Sequence, residues 1–269
     1  MKTTTKNSAA TFSSLLFATS LSHAATIVDD FNDGNHDGWV RYDPIGLITS
    51  GSVASTYGFP NGDSYRIQAT SSPDPSIFGP SRAGAFRNDA TFSDFRVEVD
   101  LLNWGLTDDQ QMSLFARGGN IGPGTSNGYV LSYFSLPSEG SGALQISRID
   151  GETPQAVNFF GVPNVTDITL DPVNDYRLVF TGSRANFTGE VFDLTDLMNP
   201  LATVTGFDET YADGLVGLLS ATATPNPGDP FQNNGTDVTF DNFSAVPEPS
   251  GALLAIVGSL GFLLRRRRA

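Results

Sequence analysis

The 269-residue chain contains no cysteine, so no disulfide staples it and no thiolate is available as nucleophile or metal ligand. Its only lysines are Lys2 and Lys6, and its only histidines are His23 and His36. One histidine beyond the first two dozen residues excludes a Cys–His pair and argues against a zinc centre of the usual ligand type. A Ser–His–Asp triad would have to run through His36, inside an Asp-rich turn, and no Gly-x-Ser-x-Gly elbow precedes a helix. Basic charge is scarce as well. Between residues 25 and 245 nine arginines face twenty-eight acids, a net of −19. Such a surface repels phosphate backbones and excludes nucleic acid as an expected partner, while it suits extracellular life and offers oxygen ligands to Ca²⁺. No long helical periodicity is present between those residues.

What is present begins with a leader. Lys2 and Lys6 form a basic start, residues 12–21 are apolar, and Ser22, His23 and Ala24 put small residues before a cut. This is the pattern of a secretory signal peptide over 1–24, too short to be retained as a span, with Ala25 the expected mature start. The far end carries a second address. Val246, Pro247, Glu248 and Pro249 precede fourteen uncharged residues, 251–264, and Arg265, Arg266, Arg267 and Arg268 stop the run. As a helix those fourteen residues span about 21 Å, short of the ~20 residues that cross a bilayer comfortably, and snorkelling arginines recover several ångströms. The arginines mark the cytoplasmic side. The prolines favour an extended, exposed peptide between membrane and domain.

These three features, in this order, resemble the PEP-CTERM sorting signal of Gram-negative bacteria. The resemblance covers 246–269. It implies recognition by an exosortase, transient anchoring in the inner membrane, and delivery to the cell surface or to an exopolysaccharide and biofilm matrix. A plain membrane anchor with a basic stop is the alternative reading.

Residues 25–245 read as one domain of short strands broken by Gly, Pro, Asn, Asp, Ser and Thr. Strands are expected at 25–31, 64–69, 92–102, 111–117, 128–136, 144–149, 176–181, 187–193, 214–220 and 237–244. In 92–102 Phe95, Val97, Val99 and Leu101 point one way and Arg96, Glu98 and Asp100 the other. Residues 57–86 and 222–234 are turn-rich and read as surface loops. About ten antiparallel strands pack best as two sheets, an all-β sandwich or jelly roll. The opening Asp29-Asp30-Phe31-Asn32-Asp33-Gly34, with Trp39 beyond it, and the closing Val238-Thr239-Phe240-Asp241-Asn242-Phe243 resemble the ends of concanavalin A-like (laminin-G-like) jelly rolls. That resemblance implies paired first and last strands, with Asp30 near Asp241.

Three constellations carry candidate chemistry. Asp30, Asn32, Asp33 and Asp241 are candidate ligands for a structural Ca²⁺ joining the termini; the competing reading is a chain of Asx turns followed by a core Trp39. Glu98-Val99-Asp100-Leu101-Leu102-Asn103 resembles the Glu-x-Asp-x-x-Glu strand of laminarinase-type glycoside hydrolases, with Asn103 where the resemblance requires the acid/base carboxylate. Asn cannot cycle a proton at neutral pH, so a non-enzymatic domain is expected, and the bland reading pairs Glu98 with Arg96. Trp104, Tyr129 and Tyr133 are candidate rings for stacking on extracellular polysaccharide, with core packing as the alternative. The expected function is an exported, non-enzymatic surface module that binds carbohydrate; a glycoside hydrolase or a display module without a sugar ligand are the alternatives.

Overall fold

The computed structural model describes residues 26–50, 53–156, 164–224 and 234–248. The leader 1–24 and Pro249, the apolar run 251–264 and Arg265–Arg268 of the tail lie outside the described residues. Among the described residues no helix is long and apolar enough to cross a membrane.

Sixteen strands account for most of the described chain. The first half comprises β1 (Ile27–Asp29), β2 (Trp39–Tyr42), β3 (Thr56–Gly58), β4 (Tyr65–Ala69), β5 (Arg82–Phe92), β6 (Phe95–Trp104), β7 (Gln110–Gly119) and β8 (Asn127–Leu136). The second comprises β9 (Ser141–Asp150), β10 (Thr153–Ala156), β11 (Val165–Asp167), β12 (Tyr176–Ser183), β13 (Asn186–Asp193), β14 (Ala202–Phe207), β15 (Gly214–Thr222) and β16 (Thr236–Pro247). Two single-turn helices, α1 (Pro44–Ile48) and α2 (Pro75–Phe78), start on the side chains of Asp43 and Asp74, which accept backbone N–H groups, and carry proline in the first turn.

The strands form two eight-stranded antiparallel sheets. One runs β14-β13-β12-β6-β16-β4-β3, with β1 added beside β16; the other runs β10-β9-β8-β7-β15-β5-β2, with β11 beside β9. All ten expected strand segments are present. The 57–86 region is corrected: it holds most of β3, all of β4 and the start of β5 rather than a continuous loop. Turn chemistry sets the hairpins. Asp150 pairs with Thr153 across Gly151 and Glu152, both at positive φ, which is the two-residue turn whose twist matches its strands.

The alternation in β6 is realised. Phe95, Val97, Val99 and Leu101 are fully buried between the sheets, against Phe180 and Leu178 of β12, Phe240 of β16 and Leu131 of β8. Burying each such side chain contributes about 1.5–3 kcal/mol. Gly182 and Gly189 sit where a Cβ would overlap the Phe95 ring and the Leu131 side chain, so these strands approach only because both positions lack one. The outward face of the second sheet holds a small separate apolar cluster of Tyr42, Phe86, Phe115, Val130 and Ile149.

The termini meet as expected: Ile27, Val28 and Asp29 pair with Ala245, Ser244 and Phe243. The tail boundary moves. β16 continues past Ala245, with Val246 opposite Arg96 and Pro247 opposite Phe95, and the Glu248 N–H donates to the Asp94 carbonyl at 3.1 Å. Val246 and Pro247 are therefore half-buried sheet residues paired with β6, not part of an exposed peptide.

Candidate functional site

The Asp-rich opening folds as successive Asx turns. Asp29 Oδ1 accepts the Phe31 N–H at 2.9 Å, Asp30 Oδ1 the Asn32 N–H at 3.2 Å, Asp33 Oδ1 the Asn35 N–H at 3.1 Å, and Asn35 Oδ1 the Asp37 N–H at 2.7 Å. Asp29 Oδ2 also accepts the Trp39 indole N–H at 2.7 Å, which seats that ring in the core. One oxygen each of Asp29, Asp30 and Asp33 accepts a backbone N–H two residues ahead. Asp30 does come near Asp241, but among the described residues no group of three or more His, Asp or Glu side chains converges to hold a metal. Of the expected Ca²⁺ set Asp30, Asn32, Asp33 and Asp241, Asn32 and Asp241 line one depression.

The expected carboxylate pair lies on the outward face of the first sheet. Asp100 is 2% exposed and receives three bonds: Arg177 Nε at 2.6 Å, Arg177 Nη2 at 2.9 Å and Asn242 Nδ2 at 2.9 Å. Bonding to Asp100 raises the Arg177 guanidinium above its ordinary range. Glu98 receives Arg96 Nη2 at 2.9 Å, the bland pairing. Both carboxylates are held by arginines on their own sheet face, and position 103 supplies no carboxyl.

The three candidate rings are not a stacking surface. Tyr129 is fully buried; its hydroxyl donates to Asp208 Oδ1 at 2.7 Å and accepts the Tyr211 N–H at 3.0 Å. Tyr133 is buried with its hydroxyl accepting the Leu170 N–H at 3.0 Å. Trp104 is the last residue of β6 rather than a loop residue, and it is buried against Tyr133 and Tyr176. A ring enclosed between two sheets cannot meet a saccharide, so Trp104, Tyr129 and Tyr133 are core residues.

Among the described residues, an open polar depression lies beside the β6–β16 ladder. Two irregularities break the β6–β16 ladder. Leu102 is an extra residue between the Asn103–Thr239 and Leu101–Phe240 pairs, and an extra residue lies between Asp241 and Ser244, where Asn242 adopts φ +49°. Bulges of this kind re-aim side chains and are common beside functional sites. Here they open a depression of about 420 Å³ under the turn Pro60–Gly62. Asn32, Asn61, Asp63, Asn103, Thr239 and Asp241 line it, with no basic residue among the lining. A second hollow of about 330 Å³ adjoins it across Pro60, walled by Tyr57, Phe59, Arg66 and Gln68. Phe59 stacks on Tyr65 at 5.1 Å and on His36 at 6.5 Å.

Most polar groups of the larger depression are unspent. Among the described residues the side chains of Asn61, Asp63, Asn103 and Thr239 make no hydrogen bond, although Thr239 is only 9% exposed. The Thr239 side chain is largely buried, and its hydroxyl opens onto the hollow, where an incoming group can meet it. Burial pushes the Asp241 carboxyl above the usual carboxylate range, and the nearby Asp100, Asp63 and Asp30 push the same way. Arg66, in the adjoining hollow, is bound to both carboxylate oxygens of Asp237 and so brings little net positive charge. The sequence reading reached Asn32, Asn103 and Asp241 for other reasons and missed Asn61, Asp63 and Thr239. The Pro60-Asn61-Gly62-Asp63 run was the available signal, a turn signature placing two polar side chains at a loop tip.

No family model and no curated protein matches the sequence. Solved structures do match in shape. A prokaryotic β-1,3-1,4-glucanase (lichenase) from a mouse hindgut metagenome superposes with TM-score 0.56 at 12% identity, over 83% of this chain and 99% of that one. A GlcNAcα1-4Gal-releasing endo-β-galactosidase from Clostridium perfringens gives TM-score 0.54 at 12% identity over 83% of this chain, which spans 62% of that enzyme. Lectin II from Ulex europaeus gives 0.50 at 8% identity, over 84% and 99%. The chain is therefore an all-β, two-sheet jelly roll of the concanavalin A-like kind, the architecture of lectins and of jelly-roll glycosidases alike.

Proposed function

We propose that this chain is an exported, non-catalytic surface protein whose jelly roll binds carbohydrate in the depression between the Pro60–Gly62 turn and the β6–β16 bulges. One observation carries the reading: the hollow presents Asn61, Asp63, Asn103 and Thr239 with their hydrogen-bonding capacity unspent. Carboxamides, carboxylates and a hydroxyl in a concave polar site are the groups that pair with sugar hydroxyls. The fold is shared with sugar-binding and sugar-cleaving proteins, which supports the ligand class by analogy only. Against hydrolysis stand the engagement of Asp100 by Arg177 and Asn242, the pairing of Glu98 with Arg96, and asparagine at position 103.

Export and sorting complete the proposal. The 1–24 leader takes the chain across the inner membrane. The Val246–Pro249 motif, the apolar run and Arg265–Arg268 deliver it through an exosortase-type enzyme to the cell surface or matrix.

Incubation of the protein with a polysaccharide panel tests the domain. Retention on at least one glycan with no reducing ends released is the expected result. Release of reducing ends that is abolished in Glu98→Gln would replace the binder by a hydrolase. Intact-mass analysis by cell fraction tests the sorting, with a species running from Ala25 to near Pro249 outside the inner membrane expected.

A further inference from the structure

We infer that the saccharide recognised in the Pro60–Gly62 depression is a cationic one, an amino sugar bearing a free ammonium group, rather than a uronate or a sulfated sugar. The inference rests on the carbohydrate reading and adds the charge of the ligand to it.

The lining decides the sign. Asp63 and Asp241 bring two carboxylates to one hollow, the remaining polar groups there are neutral, and among the described residues no lysine, arginine or histidine lines it. Asp100 stands opposite Asp241 in the β6–β16 ladder, and its charge is compensated on the far side by Arg177. Asp30 also acts on Asp241. An anionic sugar entering this hollow would bring like charge against both carboxylates without any cation to receive it. An ammonium would instead form charge-assisted hydrogen bonds to Asp63 or Asp241, the stronger kind, while Asn61, Asn103 and the Thr239 hydroxyl take ring hydroxyls. The chain's overall charge of −14 favours the same partner at long range. The depression is built for this by contrast with its surroundings. Elsewhere on the sheet face the acids are matched, Glu98 by Arg96, Asp237 by Arg66 and Asp100 by Arg177. Asp63 and Asp241 are left without a basic partner among the described residues.

Calorimetric titration of the full chain, purified in mild detergent, tests this with three probes of matched length: oligomers of glucosamine, of N-acetylglucosamine and of galacturonic acid. The pH is set between the carboxyl and amine titrations. Glucosamine oligomers are expected to bind at least about tenfold more tightly than acetylated ones, with no uptake of the uronate. Asp241→Asn and Asp63→Asn, which keep side-chain size, are each expected to erase most of that preference. Asp63→Asn alone decides the matter if Asp241→Asn unfolds. Glu209→Gln, at an exposed acid on the β14–β15 connection, is the control for loose attraction of a polycation to an acidic protein. Equal binding of acetylated and free-amine oligomers overturns the charge assignment while leaving the carbohydrate reading intact. The same holds if Glu209→Gln weakens binding as much as Asp63→Asn, or if the uronate binds best. Binding of none of the three, together with no retention across the polysaccharide panel, sinks the carbohydrate reading itself.

Discussion

Replacing Asp100 by alanine separates a structural carboxylate from a catalytic one, and the structure sets the size of the effect. Asp100 is 2% exposed and takes two bonds from Arg177 and one from Asn242. Its loss leaves the Arg177 guanidinium with only the unbonded charge of nearby Glu98 and removes the bond that ties Asn242 of the β16 bulge to β6. Breaking a buried ion pair from one side typically costs about 3–5 kcal/mol. The Arg177 side chain is 24% exposed, so water recovers part of its solvation and the lower end, about 3 kcal/mol, is expected. With an m-value of about 2–3 kcal/mol/M, the urea midpoint falls by roughly 1–1.5 M. Both tryptophans are core residues, Trp39 on β2 of one sheet and Trp104 on β6 of the other, so their fluorescence reports the transition. Exchanging both partners for apolar residues, Asp100→Leu with Arg177→Met, is expected to restore much of the loss. A single-mutant cost under about 1 kcal/mol would refute the reasoning. It would mean that the pair behaves like an exposed one and that Asp100 is not committed to holding the sheet.

The neighbouring Glu98 gives the contrasting case. Glu98→Gln removes only a partly exposed pairing with Arg96 and is expected to cost less than about 1 kcal/mol, leaving glycan retention unchanged. Gly182→Ala drives a methyl into the Phe95 ring, and a loss of about 1–3 kcal/mol by urea unfolding is expected; a neutral result would show that β6 and β12 can part at no cost. Stability is expected to fall in acid. Burial pushes the Glu152 carboxyl up, but bonds from Arg82, Tyr42 and the Gly124 N–H together hold it below the usual value. Asp208 is likewise held low, against burial, by Thr210, Tyr129 and Arg148. Groups with depressed folded-state values contribute above their unfolded values, about 4, and lose that contribution as pH falls through the folded ones. Melting temperature should therefore drop below about pH 4, and less steeply in Glu152→Gln; an identical acid limb in that variant would count against the Glu152 contribution.

The sheet architecture was legible where side-chain period and length agreed. Residues 95–101 alternate cleanly, and every apolar member of that set is buried. The short strands β2, β3, β10 and β11 hold three or four residues each, too few for a period of two to register. β5 was hidden by its own composition. Its Gly84 reads as a turn, yet a Cβ there would run into the Leu218 carbonyl, so the glycine marks close strand approach. The spacing of Tyr129 and Tyr133 puts them on one face of β8, but sequence alone does not say which face of a strand meets the other sheet. The depression was illegible for a different reason. Its residues come from positions 61–63, 103 and 239–241, and only the register of β16 on β4 and β6, with an extra residue in each ladder partner, brings them together.

That register also ties the proposed site to the proposed address. β16 carries Thr239 and Asp241 in the depression, pins its bulge through Asn242 to Asp100, receives β1 at Phe243–Ala245, and ends in Val246 and Pro247 of the sorting motif. From Asp241 to Pro247 the strand rises about 20 Å. Glu248 is still bonded to Asp94, and the apolar run begins three residues later, at Gly251. A chain held by that run would keep its domain against the membrane with almost no linker, and the depression would stand about 20 Å along the strand from the anchored end. Cleavage beyond Glu248 leaves the whole ladder intact. Only a cut before Val246 would remove the residues paired with Arg96 and Phe95 of β6. Under the proposed sorting, a processed form that keeps Val246 to Glu248 would retain the end of β16.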